Sequence, residues 1–440
     1  MTTSLVITDA DVIINVVEIN DRHGVGILLQ RIFKNRSRTI SIRTLNLYDG
    51  EQSFGVYDVL IGKGLSRTEV FDKVKQALSG HTVQRILCVP YHAEEILVAL
   101  TVRELFGAEI CTYLMDDRNV VVEDVDDDLM SELLAKSALC LAISPEMRDV
   151  YRAKYEVPIY FAPPVIPAAL VKQITPAPIT ERKQIGAILG NIWSPKWLEL
   201  LRTMTKATGL QLDWYGNTGA DWHFSDREQL SSDGIIERGF LPTEADVIEA
   251  LHNYAYVIVP SGTLDLRDDN LATSWLSLPS RIPFVLATAN TPIIVLGNPS
   301  TAAARFVTRL GIGIVADYDP VSFRTAVAQI TQPSVQQQLR KNAAKLAPHL
   351  VNEQMDEWIW QSLKLGKPID DRFEALLTKP SDYATSFTTC LNLIRQQQAE
   401  IDRLKLKASP IAVQIDYLKQ NSHRWPKLRH IWHRLKGKIS

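Results

Sequence analysis

Cysteine is scarce in this chain: Cys88, Cys111, Cys140 and Cys390 stand far apart, and no two have metal-ligand spacing. That excludes a disulfide scaffold and a cysteine-based metal site. Three of the four lie in apolar runs, so they read as reduced core residues of a reducing compartment. Neither sign of charge dominates. The 48 Lys and Arg are balanced by 50 Asp and Glu, a formal net charge of −2, so no global field draws the protein to nucleic acid and no such partner is expected. Long hydrophobic runs are missing too: no stretch approaches the roughly 18 apolar residues of a membrane span. The opening MTTSLVITDADVIINVV has no basic region ahead of an apolar one, so a signal peptide is not expected and a cytoplasmic protein is.

What is present describes an ordinary folded protein, with 46% hydrophobic and 22% charged residues over 440 positions, enough for two or three domains. Short Val-, Ile- and Leu-rich runs at Val12–Val17, Thr39–Leu45, Val59–Ile61, Arg85–Val89, Ile110–Leu114 and Leu139–Ile143 alternate with amphipathic stretches at Ser66–Leu78, Ala93–Phe106 and Asp128–Ser137. The strands mostly lack polar alternation, as expected for a parallel sheet covered on both faces. A Pro-rich stretch from Pro163 to Pro178 reads as a hinge or linker. Alternation then resumes, with strands predicted at Gln184–Leu189, Leu210–Tyr215, Ile235–Arg238, Ala255–Val259, Ile293–Leu296 and Gly313–Val315. Helices are predicted at Lys196–Thr205, Glu244–Asn253, Thr301–Leu310 and Pro320–Ile330, and from Val335 onward. The expected fold class is α/β: two Rossmann-like doubly wound lobes, 1–170 and 180–350, facing across a cleft. Helices at 351–378 close back on the lobes, and a helical basic tail occupies 379–440.

Within the tail, 420–440 holds six Lys/Arg, three His and no acid, interleaved with Trp425, Leu428, Ile431, Trp432 and Leu435. That composition suits an anionic membrane surface at the inner face of the membrane; a partner-binding or simply solvated tail is the alternative.

The strand–helix turns carry the candidate site. After the first strand, Asn20-Asp21-Arg22-His23-Gly24-Val25-Gly26 lets the backbone turn sharply ahead of a helix, but Leu29 stands where a dinucleotide fingerprint needs its third Gly. His23, Gly24 and Gly26 are candidates to face a substrate. His92, in Pro90-Tyr91-His92, and Asp117, in Met115-Asp116-Asp117-Arg118, end two further strands; either is a candidate general base, and for each a capping role is the alternative. Asp126-Asp127-Asp128 opens a predicted helix, where acids complement the dipole, so it reads as structural and no metal is expected. In the second lobe, Gly190-Asn191 and Gly216-Asn217 end apolar strands, and Ser194 and Lys196 open the next helix. Ser261 ends another strand. Ser280 and Arg281 at a helix start are fitted to a diphosphate through hydroxyl, backbone N–H and guanidinium.

The order of these motifs resembles the GT-B glycosyltransferases, especially family-4-like bacterial enzymes of polysaccharide synthesis, over roughly Val12 to Leu365. Ala142-Ile143-Ser144-Pro145-Glu146-Met147, Tyr151 and Phe161-Ala162-Pro163-Pro164 are similar to a recurring pattern of their first lobe. Gly239-Phe240-Leu241-Pro242, Leu278-Pro279-Ser280-Arg281 and Asn290-Thr291-Pro292-Ile293-Ile294 are similar to turns of the second, with Arg281 for the usual Lys. The family's acidic E-x7-E pair is absent; Asp265, Asp268 and Asp269 stand in that region.

The resemblance implies a hexosyltransferase-like activity without cofactor or metal. A nucleotide-diphosphate sugar would lie on Gly190, Asn191, Lys196, Gly216, Asn217, Ser261, Ser280 and Arg281. A glycan or lipid-linked acceptor would lie on the first lobe at His23, Gly24 and Gly26, with Asp117 or His92 as base. The missing acidic pair keeps open a catalytically silent nucleotide-sugar-binding or scaffold protein; a sugar-nucleotide epimerase on the same fold is a further alternative.

Overall fold

A computed structural model describes residues 6–377, except 23, 35, 52–53, 172–182 and 217–226, together with Arg403. His23, Asn217 and the tail at 420–440 therefore lie outside the described residues. Both lobes belong to one compact unit, Met1–Pro380.

The first lobe runs β1 (Ala10–Asn15), α1 (Gly24–Ile32), β2 (Thr39–Arg43), β3 (Tyr57–Leu60), α2 (Arg67–Ala77), β4 (Val83–Cys88), α3 (Ala93–Phe106), β5 (Glu109–Leu114), α4 (Asp127–Lys136), β6 (Ser137–Ala142), α5 (Pro145–Tyr155) and β7 (Tyr160–Phe161). Its sheet has the order β3-β2-β1-β4-β5-β6-β7, and every pair is parallel. The second lobe runs β8 (Lys183–Leu189), α6 (Pro195–Thr208), β9 (Leu212–Tyr215), α7 (Arg227–Ser232), β10 (Ile235–Gly239), α8 (Glu244–His252), β11 (Tyr254–Pro260), α9 (Leu271–Leu276), α10 (Arg281–Thr288), β12 (Ile293–Leu296), α11 (Ala302–Leu310), β13 (Gly313–Ala316), α12 (Pro320–Ile330) and α13 (Pro333–Leu346). Its parallel sheet repeats the plan, β10-β9-β8-β11-β12-β13. In each sheet the order reverses beside the first strand, at β1/β4 and at β8/β11. Doubly wound folds bind ligands at the C-terminal ends of such strands.

The chain folds this way because the central strands are apolar on both sides. β11 buries every residue from Tyr254 to Pro260, and β12 buries Ile293–Leu296. The helix α3 is buried from Glu95 through Val102, around its whole circumference, so it is packed by neighbours on all sides. Helix starts are fixed by side chains. Ser66, Ser144, Ser194, Thr243 and Thr301 each accept a backbone N–H of the first turn, a contact typically worth about 1 kcal/mol.

Two expectations shift. Val16 and Val17 are buried but belong to the loop after β1, because the Val16 carbonyl turns to accept the N–H groups of Thr44 and Leu45. The first part of the expected hinge is anchored as well: Val165 and Ile166 are fully buried, and Ile166 forms a parallel bridge with Val351, donating to Leu350 O at 2.8 Å. After that bridge, α14 (Met355–Leu365) returns to the first lobe, where Trp360 packs on Phe33 with ring centroids 5.3 Å apart.

The lobes touch along one side of the cleft. Arg31 of α1 pairs with Glu244 of α8 and lies over the Phe284 ring at 5.6 Å. Phe161 meets Phe306 edge-on at 6.5 Å, and Ser144 donates to the Leu276 carbonyl. A cavity of about 340 Å³ lies away from the cleft, where Asp11 and Arg85 pair at 2.7 Å beside Trp360 at the N-terminal end of the first sheet.

Candidate functional site

The edge of the second lobe is a stair of strand-end glycines. Gly190 has φ +75°, a conformation few L side chains adopt, and its N–H donates to Tyr215 O at 2.7 Å. Gly216 sits so close that a Cβ there would stand 2.7 Å from Gly190 O. Its N–H in turn reaches Gly239 O at 3.2 Å, so the ends of β8, β9 and β10 are tied together. Trp214 Nε1 closes the set by donating to Gly190 O at 2.8 Å.

Arg281, the first residue of α10, lies against this stair. Its Nη1 donates to Leu189 O at 2.8 Å and its Nη2 to Asn191 O. These are carbonyls; among the described residues no carboxylate pairs with it. Burial alone pushes the guanidinium down to about 10, so it remains cationic, yet it keeps some surface open to water. Beside it Ser280 is exposed at the helix N-cap, with its hydroxyl making no capping bond. A fixed cation, a free hydroxyl and a helix N-terminus at one point make an anion site.

The other expected residues of this lobe divide. Lys196 is exposed in the first turn of α6, and Asn191 is half-buried with its carbonyl committed to Arg281. Ser261 is buried at the end of β11, where its N–H meets Leu296 O at 2.7 Å and its carbonyl accepts from Tyr318 at 3.0 Å. The three acids of the following loop shape the loop itself. Asp265 pairs with Arg267 at 2.7 Å, and Asp269 accepts from Ser194. Asp268 accepts from Trp197 Nε1, Leu264 N and Asn270 N, each at 3.1 Å. Gly262 is required there: a Cβ would lie 1.9 Å from Ser274 Oγ and 2.0 Å from Asp268 Oδ2. Overpacking of this kind costs about 1–3 kcal/mol. Gly262→Ala is therefore expected to lower Tm in a thermal melt, and an unchanged Tm would mean that the Asp268 loop is not the rigid element described.

At the edge of the first lobe, Gly24 opens α1 with free space around it, whereas Gly26 is filled from within: a Cβ there would stand 2.5 Å from Asn20 O. Gly26 thus permits the helix to pack on its own approach loop, and the substrate-facing reading of that residue loses its support. His92 is half-buried at the start of α3, and its backbone N–H donates to the buried Glu95 carboxylate. Burial, with help from Lys63 and Arg118, holds the His92 imidazole below its usual range, which leaves it neutral and able to accept a proton near pH 7. Glu95 itself is pushed up to about 7 by burial, against its bonds from Thr44 and the His92 backbone.

The adjacent acids after β5 have separate roles. Asp117 is saturated: it accepts from the N–H groups of Asn119 at 3.3 Å, Val120 at 3.0 Å, Val121 at 2.7 Å and Val122 at 3.2 Å, and from Tyr151 Oη at 2.9 Å. It braces the loop, in place of the general-base role expected for it. Asp116 turns the other way. It lies beside the buried Tyr91 hydroxyl, which makes no well-formed hydrogen bond of its own, and Ser277 of the second lobe reaches its Oδ1 at 3.4 Å. Burial raises the Asp116 carboxyl above the usual carboxylate range, while Tyr91, Arg118 and Ser277 act to lower it. Asp116, Tyr91, Glu95 and Ser277 are the residues the sequence reading missed. A carboxylate and a neutral imidazole at one edge, and at the other a guanidinium with no carboxylate partner among the described residues, can take a proton from a hydroxyl and offset charge on a departing anion.

The Asp126 to Asp128 run is structural at two positions: Asp126 caps α4 through Leu129 N at 3.0 Å, and Asp127 pairs with Lys154 at 2.7 Å. Among the described residues, no group of three or more His, Cys, Asp and Glu side chains is arranged to hold a metal ion.

No family model matches the chain, and no curated protein matches it in sequence. Solved structures do match. A sucrose-phosphate synthase from Thermosynechococcus elongatus is 13% identical, with 81% of this chain and 98% of that one covered at a TM-score of 0.58. A glycosyltransferase from Rickettsia africae is 10% identical, with 84% and 100% covered at 0.58. HepE of Anabaena, solved in complex with UDP-glucose, is 10% identical, with 81% and 99% covered at 0.59. At these identities the likeness is one of architecture: two parallel, doubly wound lobes in the GT-B arrangement are the fold of this chain.

Proposed function

We propose that the chain is a glycosyltransferase that moves a sugar from a nucleotide-diphosphate donor to a hydroxyl of a glycan or lipid-linked acceptor. The observation that carries this reading is Arg281, a guanidinium fixed by two strand-end carbonyls, without a carboxylate partner among the described residues, at the start of α10. A diphosphate would supply the missing anion. The acceptor oxygen would form a bond to the anomeric carbon as the bond from that carbon to the diphosphate breaks. His92 or Asp116 would take the hydroxyl proton, and Arg281, Ser280 and the N-terminus of α10 would meet the leaving diphosphate without a metal. UDP-glucose in the Anabaena HepE complex is a precedent within this fold for the donor class. A role in polysaccharide synthesis at the cytoplasmic face of a membrane fits the basic, aromatic composition of 420–440, which lies outside the described residues. Among the described residues no helix is long and apolar enough to cross a membrane.

One observation favours a second reading. The acids that stand where the family has its E-x7-E pair are engaged in their own loop, so a protein that binds the donor without transferring it is the alternative. Release of nucleoside diphosphate from UDP-, GDP- and ADP-sugars, measured with and without glycan and lipid-linked acceptors, separates the readings. Acceptor-stimulated release is expected. Donor interconversion without release would indicate an epimerase, and binding without either would indicate the silent protein.

A further inference from the structure

We propose that Ser277, a residue of the donor-side lobe, positions the Asp116 carboxylate at the acceptor edge, and so couples occupancy of the Arg281 site to the readiness of the base. The inference rests on the glycosyl-transfer reading above. One short stretch of chain, Leu276 to Arg281, meets both edges of the cleft. At its beginning the Leu276 carbonyl accepts from Ser144 Oγ, a fully buried hydroxyl that also caps α5, so the stretch is pinned to the first lobe. Next, Ser277, itself buried, directs its Oγ to Asp116 Oδ1 at 3.4 Å. Pro279 then stiffens the backbone, and Ser280 and Arg281 face the anion site. A diphosphate that engages Arg281 and the start of α10 pulls on a segment whose other end holds the acid.

The length of the Ser277 contact matters. Hydroxyl-to-carboxylate bonds run about 2.5–3.0 Å, so at 3.4 Å this one is weak, and a closure of about 0.5 Å would bring it to full strength. Ser277 donates to the ionised carboxyl, so a stronger bond favours the form that can accept a proton. Among the described residues, the other titratable and charged groups that act most strongly on Asp116 are Tyr91, after β4, and Asp117 and Arg118, from its own loop; Asp117 alone of these raises the carboxyl. None of them belongs to the donor-side lobe. Ser277 is thus placed to report donor binding to Asp116.

The test is the pH profile of transfer by Ser277→Ala, read together with donor KM and the nucleotide-induced shift in Tm. Loss of the donated bond raises the Asp116 carboxyl, so the acidic limb of kcat is expected to move to higher pH. Turnover at neutral pH is expected to fall about two- to tenfold, the size of one modest hydrogen bond. Coupling is reciprocal, so the nucleotide-induced Tm shift is expected to shrink in Ser277→Ala, and Ser277→Thr, which keeps the hydroxyl, restores both the shift and the profile. An unmoved acidic limb in Ser277→Ala overturns the proposal, as does Ser277→Thr behaving like the alanine variant. An acidic limb that persists in Asp116→Asn also overturns it, because the limb then belongs to another group. The wild type separates the two levels of failure. If it turns over no donor, the glycosyl-transfer reading falls and this inference with it; if it turns over donor and Ser277→Ala changes nothing, only the coupling falls.

Discussion

Arg281→Ala is expected to lower donor turnover about a hundredfold or more, the usual cost of removing one preorganised group that stabilises developing charge. The side chain is held by Leu189 O and Asn191 O before any ligand arrives, so it needs no reorganisation when the diphosphate begins to leave. It also stands in its place at a cost: burial depresses its ionisation to about 10, and no acid among the described residues offsets that. An arriving diphosphate removes the penalty, so the interaction is stronger for the more negative leaving group than for the bound donor. The loss is therefore expected in donor KM as well as in kcat. Arg281→Lys should recover part of it, because a lysine keeps the charge but cannot span both carbonyls and the ligand as a planar fork does. The competing explanation, that Arg281 is only a brace between α10 and β8, predicts something else: a lower Tm in both variants, with nucleotide binding intact in whatever remains folded. Steady-state kinetics and thermal melts on the same preparations distinguish the two.

Asp116→Asn and Asp117→Asn are expected to fail in different ways, although the residues are neighbours. Asp116 is half-buried and, among the described residues, takes only a long bond from Ser277, so amidation should leave Tm nearly unchanged and, with Asp116 as the general base, cut transfer by about 10²–10⁴-fold. Asp117 accepts four backbone N–H groups and the Tyr151 hydroxyl. An amide has only one oxygen to offer where the carboxylate offers two, and each buried donor left unmet costs about 1–3 kcal/mol. Its variant should melt at clearly lower temperature. Full transfer by Asp116→Asn with loss confined to His92→Ala would move the base to His92. A stable but inactive Asp117→Asn would restore the role that the sequence alone suggested for Asp117.

That pair also marks how far the sequence could be read. The lobes were legible because parallel strands buried on both faces are apolar throughout: Ile293–Leu296 and the helix Ala93–Phe106 were placed to the residue. The helix α5 went unread as a helix because its Arg148, Asp149, Arg152 and Lys154 mask its apolar stripe, and β7 has only two residues, too few for any pattern. At the site, Arg281 was legible because a Ser-Arg step before an apolar helix has a local physical meaning. Which of two consecutive acids meets the cleft was not, since that depends on how the loop to Val122 folds back over Asp117. Gly26 was assigned to a substrate because a glycine kept open for a ligand and one kept open for the Asn20 backbone look the same in one dimension. Ser277 gave no signal at all: its partner lies 161 residues away in the other lobe.

Binding of a nucleotide diphosphate by the second lobe at Arg281 is the step on which the rest of the proposed function depends. It is tested most directly by the thermal stability of the wild type and Arg281→Ala with UDP, GDP, ADP, CMP and their common sugar conjugates. Ligand at 100 times its Kd adds about 2.7 kcal/mol to the stability of a single-site protein, a shift readily seen in a melt. The expected result is a shift with one nucleoside diphosphate and its sugar conjugate, lost in Arg281→Ala. No shift with any of these ligands, or a shift that Arg281→Ala leaves intact, would contradict it.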